Sequence, residues 1–261
     1  MVSRLATTGI LVLLHGAPCL GLSDAGRALI TRAMAGPVYV TDPADSAELL
    51  GLVHEAEAAV ETPTWPQARE RLLGNWRLVA TTRTVGSEVL QQMGRQPALG
   101  TFAITQQWKE GDDGLRCDNV ITIGRPNDGL LSAWTLLPAG GQSSLRLQHR
   151  AVCVEDGTPA AGRLRMRAEL DAAILDGNRR AGDAVETIVS LPFPPRLPGL
   201  PPPPSLPIPQ LSDAIADAGT FDTTVLDESL RVVRGMPRRG EETGAVRIFV
   251  REEVGRPLPT W

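Results

Sequence analysis

From Trp76 onward apolar residues recur at every second position, a period that admits only extended strands with one face in a core and the other in water. The clearest run is 163–174, where Leu164, Met166, Ala168 and Leu170 alternate with Arg163, Arg165, Arg167, Glu169 and Asp171. In 72–82, LLGNWRLVATT, one face carries Trp76, Leu78, Ala80 and Thr82 and the other Arg77, Val79, Thr81 and Arg83. Phe102, Ile104, Gln106 and Trp108 make another such face, as do Cys117, Asn119, Ile121 and Ile123, then Leu130, Ser132, Trp134 and Leu136. Leu145, Leu147, His149, Ala151 and Cys153 continue the pattern. Turns are expected at EGDDG (110–114) and RPNDG (125–129), where glycine supplies a positive φ and the Asx residues tolerate it. Later strands are expected at 184–191, 230–234 and 245–251. The alternation predicts a mainly β protein, an antiparallel barrel of about eight strands, whose interior is either filled by side chains or holds one small ligand.

A short helical prologue over 42–73 precedes the strands. Asp42-Pro43 is a helix start, with an acceptor at the cap and proline in the first turn, and Asp45 and Glu48 suit the positive end of the helix dipole. Leu49, Val53, Ala56 and Val60 form one apolar stripe, and the helix should stop before Thr62-Pro63. His54, beside Glu55 and Glu57, reads as part of a solvated helix face. The strand region, 74–252, is interrupted at 192–210 by a proline-rich loop. Proline lacks the amide donor and fixes φ, so this stretch cannot pair in a sheet and should run extended as a spacer, a lid or a docking segment. Residues 253–261 are left as a tail.

Residues 1–22 place Arg4, an apolar run 9–14 and small residues in the order of a secretory signal peptide, and 23–36, with Arg27 and Arg32, look like a transit peptide. The pair suggests a removable two-step leader over 1–41 and a plastid destination; plain secretion is the alternative. No later apolar run is long enough to span a bilayer, so a soluble or peripheral protein is expected. The formal net charge is -4, yet 1–41 carries three arginines against Asp24 alone, which leaves the remainder at -6. A negative body argues against nucleic acid, whose phosphates need a basic face.

No GxSxG elbow, HExxH, phosphate-binding glycine loop or CxxC is present, and the three cysteines, Cys19, Cys117 and Cys153, have no paired histidine spacing for zinc. Neither a metal nor a cofactor is expected. Cys117 and Cys153 read as two buried thiols, with a disulfide as the alternative. His149 shares its face with apolar residues and is expected to be a satisfied interior histidine or one bonded to a ligand, rather than a general base. Asp118-Asn119 reads as structural, because no partner base is evident. The ligand-lining candidates are Phe102, Ile104, Trp108 and Trp134 on the early strands, with His149, Met166, Leu170 and Phe221 on the later ones.

Three blocks in order resemble the PAP/fibrillin family of plastid lipid-associated proteins. The first is LLGNWRLVATT, similar to that family's LLNGKWELLYT-like strand; the second is LGTFAITQQW with CDNVITI, which holds Asp118 and Asn119. The third and most specific is FDTTVLDESLRVVRG, where Asp222, Thr224, Leu226, Asp227, Leu230, Arg231, Arg234 and Gly235 match the family's TYLDEDLRISRG-like block. Val225 and Ala80 depart from aromatic positions of that pattern. The resemblance implies a lipocalin-like barrel that binds or organises carotenoids, prenylquinones or fatty-acyl lipids at plastoglobule or thylakoid surfaces without catalysis. Alternatives are a lipocalin-like enzyme acting on such a lipid, and a scaffold that docks a biosynthetic enzyme through the proline-rich loop. Gly74-Asn75-Trp76 resembles the GxW start of lipocalin barrels, in which the indole closes one end beneath a late-strand arginine. Arg231, Arg234, Arg247 and Arg251 are the candidates for that partner.

Overall fold

The computed structural model describes residues 22–61, 63–82, 102–112, 114–124, 142–154, 163–177, 186–192, 219–236 and 244–252. Three helices, α1 (Asp24–Ala35), α2 (Pro43–Ala59) and α3 (Trp65–Leu72), precede nine strands. These are β1 (Gly74–Thr81), β2 (Phe102–Gly111), β3 (Gly114–Gly124), β4 (Gln142–Cys153), β5 (Leu164–Gly177), β6 (Glu186–Pro192), β7 (Thr220–Leu226), β8 (Leu230–Gly235) and β9 (Val246–Arg251). Every pairing between these nine strands is antiparallel, in the order β4-β3-β2-β1-β9-β8-β7-β5-β6. A further β4–β5 pairing closes eight of the strands into a ring, and β6 attaches to β5 outside it. The chain is thus mainly β, as its alternation predicts. The expected strand at 130–136, with Trp134, and nearly all of the proline-rich loop lie outside the described residues.

Alternation sorts the strands into two cores. Facing into the ring are Trp76, Leu78, Trp108, Leu115, Met166 and Phe249 among others, and Ala68 and Leu72 of α3 join this cluster. The outer face of β1, β9, β8 and β7 is apolar too: Val79, Val225, Leu230, Val232 and Ile248 are buried under Leu29 and Ala33 of α1 and Leu49, Val53 and Ala56 of α2. The stripe predicted for α2 is therefore the one that packs, and Asp42 caps the helix by accepting from the amides of Ala44 and Asp45.

Two departures from the sequence reading have physical causes. Residues 24–35, transit-like in composition, form a helix capped by Ser23, and the same spacing of small and apolar residues that suggests a presequence builds its buried face. Arg32 then fastens α1 to α2 through Asp45 at 2.7 Å and Glu48 at 2.8 Å. In β1, Ala80 does not share the face of Trp76 and Leu78. The register against β9 shifts between Leu78 and Ala80, so a bulge turns Ala80 outward to pair with Ile248 and join the helix-covered core.

Leu29 is fully buried between α2 and the sheet, so Leu29→Ala should cost about 2–5 kcal/mol, the range for deleting a buried leucine side chain. Chemical denaturation measures this; a change below about 0.5 kcal/mol, typical of surface sites, would show that α1 is not part of the core.

Candidate functional site

At the end of the ring where β1 begins, α3 and the start of the strand are locked together. Trp76 is fully buried and its indole Nε1 donates to the carbonyl of Leu72, the last residue of α3, at 2.8 Å. Of the four candidate arginines it is Arg251 that stands over the indole, 4.3 Å from the ring centroid, and it also donates to the carbonyls of Leu73, Arg71 and Glu228. The expectation for Arg231, Arg234 and Arg247 is corrected, because β9 runs antiparallel to β1 and only its last residue reaches the level of Trp76. Gly74 has φ +113, and a Cβ there would meet Arg251 Nη1 at 2.8 Å, so glycine is required both for the backbone and for the close approach.

Beyond this closed end the inner face of the ring lines a partly open cavity of about 190 Å³. Its apolar walls include Leu78, Ile104, Ile121, Leu147, Leu170 and Phe249, and its polar groups are Gln106, Cys117, Asn119, His149, Arg231 and Arg247. Of the candidates from sequence, Ile104, His149, Leu170 and Phe221 line it. Trp108 and Met166 belong to the packed core beside it, and Phe102 is placed only by its backbone in β2. Asn119, known from a motif, and Arg231 and Arg247, expected to close the barrel, are wall residues instead.

The other motif residues serve the outside of the ring. Asp222 takes the Nε and Nη2 of Arg165 at 2.8 and 3.1 Å and so neutralises part of the basic stripe of β5. Asp227 accepts from the amides of Ser229 and Leu230, both at 2.7 Å, and shapes the β7–β8 turn. Leu230 packs beneath the helices, and the Gly235 amide donates to the carbonyl of Ala245. Arg234 grips Glu57 of α2 at 2.7 and 2.9 Å. Burial raises the Glu57 carboxyl, but hydrogen bonds from Arg234 and Thr224 bring it below its ordinary value. Asp118 lies across β3 from Asn119, on the outer face with Lys109 Nζ at 2.6 Å, so it and His149 do not form one constellation. Among the described residues no three His, Cys, Asp or Glu side chains group as a metal site.

A polar chain crosses the interior from β8 to β4. Arg231 Nη1 donates to Gln106 Oε1 at 2.6 Å, Gln106 Nε2 donates to Asn119 Oδ1 at 2.8 Å, and Asn119 Nδ2 lies 3.4 Å from His149 Nδ1. Because a guanidinium only donates, Arg231 fixes the orientation of both amides in turn. His149 Nδ1 also lies 3.2 Å from the carbonyl of Cys117; that carbonyl only accepts and Asn119 Nδ2 only donates, so Nδ1 serves one or the other according to the tautomer, while Nε2 has no hydrogen-bond partner among the described residues.

Arg231 is the unusual member. It is completely buried, with Trp108, Phe221 and Phe249 centroids at 4.7, 5.7 and 5.5 Å, and its Nε and Nη2 have no hydrogen-bond partner. Burial pushes its pKa down to about 10, with the charge of Arg247 adding to the effect. It is still a cation at neutral pH. A buried charge costs several kcal/mol, and desolvated cation–π contacts return about 2 kcal/mol, so rings and one amide leave a deficit that an anion would offset. In sequence Arg231 stands only as one of four candidates to cover Trp76, because β8 carries apolar residues on both faces and does not show where the arginine points.

Comparison with known proteins yields no family model, no curated protein and no solved structure that matches the chain.

Two outcomes follow for this interior. Burial is the main cause that pushes His149 below its ordinary value of 6.5, against opposing backbone hydrogen bonds to Cys117 and Leu147. The unfolded chain therefore takes up the proton more readily, and stability is kept above 6.5 and falls as pH drops below it. The melting temperature of His149→Gln should fall less steeply than that of the native chain between about pH 7 and pH 5; parallel curves would show that His149 is not held neutral. Burial likewise raises the Cys117 thiol to about 12, so in mildly alkaline solution an alkylating reagent should leave Cys117 unmodified until the chain is denatured. Peptide mass mapping reads this directly, and native labelling of Cys117 would contradict it.

Proposed function

We propose that this is a lipocalin-like, non-enzymatic binding protein of the PAP/fibrillin type, which holds the apolar part of a lipid inside the ring of strands. The observation that carries the reading is the cavity of about 190 Å³ with mainly apolar walls inside a closed antiparallel sheet. Its size sharpens the ligand class: a cavity of about 150 Å³ takes benzene, and sites for drug-sized molecules start at about 300 Å³. The space within the walls thus suits an acyl segment or a quinone ring, and a whole carotenoid would extend beyond it. Each buried methylene contributes about 0.8 kcal/mol, so a short acyl segment alone gives weak binding, and the headgroup must add to it.

The three sequence blocks support the family reading, and the order of segments in 1–41 supports a plastid destination with action at a plastoglobule or thylakoid surface. Asp24–Ala35 packs on the sheet, so the targeting part of that reading rests on the residues before it. Among the described residues no helix is long and apolar enough to cross a membrane.

Titration of the full chain with a panel of fluorescent fatty acids, prenylquinones and carotenoids tests the proposal. Saturable binding near one molecule per chain is expected for an acyl or quinone ligand. Ala168→Phe, which puts a ring into the cavity from its β5 wall, should abolish that binding while the circular dichroism spectrum is kept. A folded chain that binds no member of the panel, or binding that Ala168→Phe leaves untouched, would overturn it.

A further inference from the structure

Three arginines of this chain show what the Nε and Nη2 edge of a guanidinium does when a carboxylate is within reach. Arg69 holds Glu110 by those two nitrogens at 3.0 and 2.5 Å, Arg165 holds Asp222 at 2.8 and 3.1 Å, and Arg234 holds Glu57 at 2.7 and 2.9 Å. This planar fork matches two carboxylate oxygens. Arg231 has the same two nitrogens without a hydrogen-bond partner, while Nη1 is occupied by Gln106.

The place of that edge is what distinguishes it. Arg69 and Arg165 work near the surface, but Arg231 is fully buried and is part of the cavity wall. The wall contains a second arginine, Arg247, and no aspartate or glutamate among its described residues. The faces of the guanidinium are covered by Trp108, Phe221 and Phe249, which leaves its edges as the directions open to hydrogen bonding. A wall with an open guanidinium edge, and no carboxylate among its described residues, around mainly apolar space is complementary to an amphiphile with one negative headgroup.

We propose that the cavity selects a lipid monocarboxylate, such as a fatty acid, whose two oxygens take the Nε and Nη2 of Arg231 while the first part of the chain lies against Ile104, Ile121, Leu147 and Leu170. The proposal rests on the reading of this cavity as a lipid site and adds the chemistry of the headgroup. The charged head is the buried end of the ligand. Surface attraction to anionic lipid is a different mode, weakened by salt, whereas a buried ion pair is screened much less.

The test compares a fluorescent polyene fatty acid (parinaric acid) with its methyl ester on the full chain at near-neutral pH, in low and high salt. Decyl phosphate and decanol serve as competitors. The acid should bind about tenfold or more tightly than the ester, the effect of a charge-assisted bidentate contact, and the preference should persist in high salt. Arg231→Gln should bring the acid to the affinity of the ester and leave the ester unchanged, and Arg231→Lys, which keeps the charge without the fork, should retain only part of the preference. Equal binding of acid and ester by the native chain overturns the carboxylate assignment and leaves the lipid site standing. With decanoate added as a third competitor, stronger competition by decyl phosphate than by decanoate assigns the fork to a phosphate head instead, and also overturns it. If neither acid nor ester binds, the lipid-site reading fails and this proposal fails with it. The native headgroup comparison decides the matter even if both Arg231 variants fail to fold.

Discussion

The contact between Trp76 and Arg251 sets the frame for the rest of the structure. The indole closes the carbonyl end of α3, and the guanidinium that stacks on it ties the last residue of β9 to the loop before β1. Two neighbouring strands of the ring are thereby held in register at one end, and α3 is seated over that end with Ala68 and Leu72 buried. Everything enclosed by the ring lies on the far side of this closure. A cation–π contact of this kind is worth about 0.5–2 kcal/mol by itself, so its importance is geometric: it fixes where the closed end is.

With one end fixed, the two faces of β1, β9, β8 and β7 take different roles although both are apolar. The outer face is dry because α1 and α2 cover it, and Arg32 and Arg234 pin that cover through carboxylates on α2. The inner face is less completely filled. It carries a directed run of hydrogen bonds from Arg231 through Gln106 to Asn119, so the amides are oriented before any ligand arrives. Placing a cation at the head of that run, with no carboxylate hydrogen-bonded to it among the described residues, gives the cavity both an orientation and a sign.

Much of this was legible in the sequence. Strict alternation in 163–171 revealed its core face because one side is wholly apolar and the other charged, and the stripe Leu49, Val53, Ala56 exposed the packing face of α2. Two things were hidden. The bulge at Leu78/Ala80 changes which side faces the ring without any glycine or proline to announce it. In LRVVRG the two cores defeat the usual inference: Leu230 and Val232 do point into a core, but it is the helix-covered one, so the alternation does not show that Arg231, expected over Trp76, instead stands inside the ring on the opposite face. For the same reason the partner of Trp76 could not be chosen among four arginines until the strand register was known.

The sharing of β5 gives the ring unequal ends. Its first residues, Leu164 to Arg167, pair with β7, whereas Ala172 to Gly177 pair with β6, which has no second neighbour among the described strands. Closure by hydrogen bonds is therefore complete only towards the α3 end, and at the other end the sheet parts like a sleeve slit along one seam. Peeling β6 away from β5 would break none of the bonds that close the eight-stranded ring. Among the described strands β6 is thus the one that can open as a local unit while the ring itself stays paired.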